Sequence, residues 1–178
     1  TTAVFPARFQ LVLAANPCPC GSLGRPGAVC LCSIQDLRRY WKKLGGPLLD
    51  RIDIRVPVKP ASLGELRRTG EDSRTMRERV LAARIRQSRR YAGMPFSVNG
   101  RVPPGAIDRF CVLTPEAVSS LERETESLRV SSRAIHSILR VSRTIADLAG
   151  EDTIEKPHVE EAVELRRYGD EDPFWRIP

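Results

Sequence analysis

The sequence predicts a mainly α-helical protein with a short β-strand remnant near its start. A Cys/Pro/Gly-rich loop lies between two short strand-like segments, and every long apolar pattern after residue 73 has helical spacing. With 178 residues, the chain can bury one solid core, or one small domain and part of another.

Phe9 to Ala15 is a near-continuous apolar run stopped by Asn16-Pro17, as expected of a strand buried on both faces. It is too short for the roughly 20 residues that span a bilayer, and no other run approaches that length. No membrane partner is expected. Residues 16–32 hold three prolines, three glycines and four cysteines, which makes a loop held by something other than a strand ladder. Ser33 to Leu44 reads as a helix stopped at Gly45-Gly46-Pro47, and Ile52 to Val58 alternates apolar and polar residues like a second strand. An unpaired strand edge at Phe9 to Ala15 would invite pairing with a second copy.

Pro60 to Gly70 is linker-like, placing a domain boundary near residue 62 and dividing the chain into 1–62 and 63–178. About four helices follow. The first, residues 73–92, has Met76, Val80, Ala83 and Tyr91 on one side. Thr114-Pro115 starts the next, which runs to about Leu128. The third is capped at Ser131 or Ser132, carries Ile135, Ile138, Leu139, Ser142, Ile145, Ala146 and Ala149, and ends at Gly150. The last spans about 156–167, and Phe174 and Trp175 of the tail are candidates to dock on the helices.

The formal net charge of +7 is concentrated rather than spread. Residues 73–92 contain seven arginines against Glu78 alone, among them Arg77, Arg84, Arg86 and Arg90. DNA backbone contact, contact with a neighbouring subunit and a merely solvated face all fit this helix. Only Tyr91 accompanies the arginines, so base stacking is not expected.

Five cysteines in a basic chain without a secretion signal point to reduced thiols or a metal, and to the cytoplasm. Cys18-x-Cys20 and Cys30-x-Cys32 offer four thiolates to a tetrahedral structural zinc, with free thiols or a disulfide as the alternatives. Cys111, between Phe110 and Val112, reads as buried, and His136 and His158 read as structural.

Three polar residues sit where chemistry could use them. Asn16 ends a strand, where its amide could orient a water or simply start an Asn-Pro turn. Arg51 lies between a tight turn and a strand, either paired with Asp50 or Asp53 or offered as an arginine finger. Arg133 occupies the first turn of its helix, a position that disfavours a cation unless an anion is near; with Arg140 it could also form a solvated basic face.

Leu-Val-Leu-Ala-Ala-Asn-Pro-Cys-Pro-Cys-Gly (11–21), Cys30-Leu31-Cys32, Gly-Pro-Leu-Leu-Asp-Arg-Ile-Asp (46–53) and Ser-Ser-Arg-Ala-Ile-His-Ser-Ile-Leu-Arg (131–140) follow one another in a fixed order. Together they resemble the magnesium-chelatase-like AAA+ ATPases of the competence type. Gly45 departs from that pattern, where Ser is expected. The resemblance implies the C-terminal part of an AAA+ α/β core followed by a helical lid. It further implies Asn16 as the sensor 1 residue, Arg51 as a finger acting in trans and Arg133 as the sensor 2 arginine. ATP with Mg2+, a hexameric ring and work on DNA, as in branch migration, come with it. The competing readings are a zinc-stabilised nucleic-acid-binding module acting without ATP and a subunit of a magnesium chelatase. No Gly-x-x-x-x-Gly-Lys-[Ser/Thr] loop occurs in these residues, so this chain by itself is expected to be inactive toward ATP.

Overall fold

The computed structural model describes residues 2–4, 9–25, 27–58, 61–128 and 130–167. The docking expected of Phe174 and Trp175 lies outside them. The chain divides into two compact units, Thr1–Lys43 and Leu44–Pro178. Residues 46–58, which precede the linker-like stretch, thus belong to the second unit by compactness.

Among its described residues the first unit contains one regular element, α1 (Ile34–Lys42). Ser33 caps it in a reciprocal box: its hydroxyl accepts from the Asp36 N–H, and the Asp36 carboxylate accepts from the Ser33 N–H. Two aromatic side chains of α1 reach back to the loop. Tyr40 donates to the Asn16 carbonyl and Trp41 to the Pro17 carbonyl, each at 3.1 Å. Among the described hydrophobic residues of this unit only Cys18 and Leu37 are buried.

The second unit is helical. Short helices α2 (Gly46–Leu49) and α3 (Leu63–Leu66) precede α4 (Ser73–Arg90), followed by α5 (Ile107–Phe110), α6 (Pro115–Leu128), α7 (Ser132–Ala149) and α8 (Lys156–Arg167). Each long helix begins where an orphan N–H finds a side-chain acceptor. Asp72 accepts from Thr75 N, Thr114 from Ala117 N and Ser131 from Ala134 N. At α8 the role falls to an imidazole, since His158 Nδ1 accepts the Glu155 N–H at 3.0 Å. Gly150 ends α7 at φ 87°, a conformation that only glycine adopts without strain, and Glu151 N–H closes the turn on the Ala146 carbonyl.

Helix α7 is central: α4 packs on it from one direction and α8 from another, and α6 packs on α8. Ile138, Leu139 and Ala146 of α7 meet Val159, Ala162 and Val163 of α8, with Ala117 of α6 beneath. Tyr91, Phe96 and Phe110 pack edge to face, with centroids 5.1–5.8 Å apart. Burying each such side chain stabilises by about 1.5–3 kcal/mol, so apolar contacts supply most of the energy that closes this unit. Cys111 lies in this core, and burial pushes its thiol up to about 11.

The segments read as strands form no ladder among the described residues. A strand needs a partner for its backbone groups, and here Phe9, Leu11, Val12 and Leu13 remain exposed. The one bridge pairs Leu113 with Ile154 and ties the start of α6 to the approach to α8. Residues 52–55 dock on the end of α8 instead of pairing as a strand, with Arg55 N–H donating to the Leu165 carbonyl at 2.6 Å.

Candidate functional site

The four loop cysteines converge, their Sγ atoms all within 4.8 Å of one another. Cys18 and Cys20 are 3.3 Å apart, Cys20 and Cys30 3.6 Å, and Cys18 and Cys30 3.7 Å. Tetrahedral zinc with bonds near 2.3 Å sets sulfurs about 3.8 Å apart, so the donor set fits that ion in type, number and spacing. The loop is built for convergence: Gly21, at φ 74°, turns the chain so that its N–H reaches the Cys18 carbonyl, and Leu23 N–H points at Cys18 Sγ. Cys20 is held down to about 6, first by the Ser22 backbone N–H and then by the Cys18 thiol. Cys32 goes the other way, to about 12, because the Cys20 thiol, burial and the Cys20 charge outweigh the lowering effect of the Cys20 backbone N–H. One thiolate forms at its neighbours' expense. Only a bound cation lets four form together.

Asn16 shares this unit. Its carbonyl is taken by Tyr40, while its amide lies against the Gly21 turn, where an added Cβ would sit 3.7 Å from Nδ2.

Arg51 and Arg133 belong to the second unit, and the turn carrying one is bonded to the helix start carrying the other. The two acids beside Arg51 both face away from it. Asp50 accepts from Ser131 Oγ at 3.0 Å and from Arg166 at 2.9 Å, and Asp53 accepts from Ser137 Oγ at 2.5 Å. Arg51 itself is exposed and, among the described residues, donates only to the Pro47 carbonyl of its own turn. The pairing of Arg51 with Asp50 or Asp53 that the sequence left open is not formed. Arg133 is exposed at the second position of α7 and makes no ion pair among the described residues. Arg140, one of the pair read as a basic face, is half-buried and donates to the Val102 carbonyl at 2.9 Å.

The arginines of α4 separate into two kinds. Arg90 holds the fully buried Asp147 carboxylate at 2.8 Å, and Arg86 pairs with Asp152 at 2.6 Å. The hydrogen bond to Asp147 pushes the Arg90 guanidinium up from its ordinary value. Arg77 and Arg84 are exposed and unpaired among the described residues. Of the four arginines expected to make outside contacts, then, two serve the fold.

Sequence reasoning missed the polar interior. Asp147 also accepts from Asn99 at 2.9 Å and from Arg143 at 3.2 Å, while Tyr91 donates to Asn99 at 2.6 Å. Burial pushes Arg143 down, and its two terminal nitrogens donate to the carbonyls of Asp152 and Glu151. The i,i+4 spacing of Arg143 and Asp147 beside the apolar stripe was the available signal. Arg55 and Arg166, both buried, gave none: Arg55 donates to the Leu49 carbonyl, and Arg166 donates to the Ile52 carbonyl and to Asp50, 116 residues away.

Two family models match in sequence order. The one described as magnesium chelatase, subunit ChlI, covers residues 1–66, and the one for the ChlI C-terminal region covers 70–166. The chain belongs to the magnesium chelatase ChlI family. It is 43% identical to the competence protein ComM of Haemophilus influenzae over 165 residues, 91% of this chain and 31% of that protein. It is 39% identical to an uncharacterized protein of Escherichia coli, YifB, over the same shares, and 36% identical to one of Mycobacterium tuberculosis over 94% and 33%. The chain spans about a third of the length of these curated relatives.

Proposed function

We propose that this chain is the C-terminal part of an ATP-driven AAA+ motor that remodels DNA, as in branch migration during DNA uptake and recombination. Asn16 would orient the attacking water as sensor 1, Arg51 would act in trans on a neighbouring subunit's γ-phosphate, and Arg133 would contact the nucleotide as sensor 2. The observation that carries this is the treatment of Arg51. A cation flanked by two acids is left exposed while both acids are bonded into the helices. An arginine so placed keeps its planar fork for a phosphate, a role worth about 10³–10⁵ in rate where it has been measured. Arg133 adds a second exposed cation at a helix start, where an anion would relieve its clash with the helix dipole. ATP and Mg2+ would be held by the full-length protein, assembled as a hexameric ring in the cytoplasm. Arg77 and Arg84 remain available for DNA or a neighbouring subunit, and Cys18, Cys20, Cys30 and Cys32 would hold a structural zinc that contributes folding energy and no redox chemistry.

The test is ATP turnover by the full-length protein, with and without branched DNA. Stimulation of the wild type by DNA, with Arg51→Ala and Arg133→Ala folded but silent, supports the reading. Activity in both variants overturns it. The convergence of four thiols favours a second reading, a zinc-stabilised nucleic-acid-binding module without ATP, which predicts DNA binding that is indifferent to both arginines. A chelatase subunit inserting magnesium into a porphyrin would hydrolyse ATP without responding to DNA.

A further inference from the structure

Resting on those roles for Arg51 and Arg133, we propose that Asp53, Ser137 and Arg166 are positioning residues. They lock the finger turn to the sensor 2 helix, so that the arginine offered to a neighbour and the arginine serving the chain's own site move as one body.

The lock has three parts. Ser137, one turn beyond Arg133 on α7, is 3% exposed and donates to Asp53, two residues after Arg51. Ser131, the cap of α7, donates to Asp50, the residue before Arg51. The finger is thus bracketed on both sides by bonds to the first two turns of the helix that carries Arg133. The third part comes from α8: Arg166, 1% exposed, donates to the carbonyls of Asp50 and Ile52 at 3.2 Å and to the Asp50 carboxylate. It thereby satisfies the backbone on either side of Arg51. Arg55 completes the seam, donating to the Leu49 carbonyl at 2.9 Å. Side chains and backbone of the segment are engaged by two helices, while Arg51 stays exposed and bonds only within its own turn among the described residues.

Such bracketing transmits displacement. A shift of Arg133 toward its own nucleotide carries α7, and with it residues 50–53, because packed and fully bonded elements move as rigid pieces. Occupancy of one site then resets the finger presented to the next. Loose attachment would let each site work independently.

The experiment uses the full-length protein bearing Ser137→Ala, which removes the donor, and Asp53→Ala, which removes the acceptor, alone and combined. Steady-state turnover against ATP concentration is read alongside the affinity for a fluorescent nucleotide. Nucleotide affinity should stay within about twofold, turnover should fall about tenfold, and the Hill coefficient should drop to about one. The double variant should be no worse than either single one, since both remove the same bond. Wild-type turnover and cooperativity in both variants, with Arg51→Ala and Arg133→Ala silent, would overturn the lock and leave the finger assignment standing. Activity in Arg51→Ala would instead remove the assignment on which the lock rests. If Arg166→Gln fails to fold, the Ser137 and Asp53 variants still decide.

Discussion

The two units of this chain are held together by different physics. In residues 44–167 a layer of Ile, Val, Ala and aromatic side chains closes around α7, and the buried Asp147 carboxylate is met by Arg90, Asn99 and Arg143. Among the described residues of the first unit only Cys18 and Leu37 are buried hydrophobics, and the loop is organised by sulfurs, three positive-φ glycines and two aromatic hydrogen bonds. A unit with so little apolar burial cannot offset the entropy of ordering its loop, roughly 1–2 kcal/mol per residue. The four converging thiols offer a place to cross-link it. The second unit needs no such help, and the contrast can be broken at either end.

The largest effect is expected at the thiols. Cys30→Ser should abolish stoichiometric zinc and unfold the loop, while the helical unit melts as before; metal analysis with backbone NMR reads both. A metal-free loop that stays ordered would remove the contrast. Next is the buried charge of the second unit. Asp147→Asn leaves Arg90 and Arg143 facing a neutral amide and should cost about 3–5 kcal/mol, seen in the denaturant midpoint, with metal content unchanged. Ile138→Ala should cost about 2–5 kcal/mol by opening a cavity between α7 and α8. Ser131→Ala should cost about 1 kcal/mol through the lost cap. The smallest effect separates the arginines of α4: Arg77→Glu with Arg84→Glu should change stability by no more than about 0.5 kcal/mol while weakening DNA binding and its salt dependence.

Legibility followed the same division. Helices α6, α7 and α8 could be read from spacing and caps, because their apolar stripes meet one another inside the chain; of the stripe read on α4, Ala83 and Tyr91 are buried but Met76 and Val80 stay exposed. The strands could not be confirmed by any ladder, since Phe9 to Ala15 carries the pattern of a doubly buried strand without sheet partners to bury it. The convergence of the cysteines was legible in their spacing. The role of Arg90 was not, because one stretch of arginines looks uniform until Asp147, 57 residues away, claims one of them. Arg166 was invisible for a related reason: its carboxylate partner Asp50 is 116 residues away, and its carbonyl acceptors leave no mark in a sequence.

The central claim is that Arg51 completes a neighbouring subunit's site while Arg133 serves its own. The direct test mixes full-length Arg51→Ala protein with full-length Arg133→Ala protein, each silent by itself, and measures DNA-stimulated ATP turnover of the mixture. Recovery of a substantial fraction of wild-type turnover is predicted, because mixed rings contain interfaces where an intact finger meets an intact lid. A mixture as silent as its components, in rings shown to exchange subunits, would contradict the account.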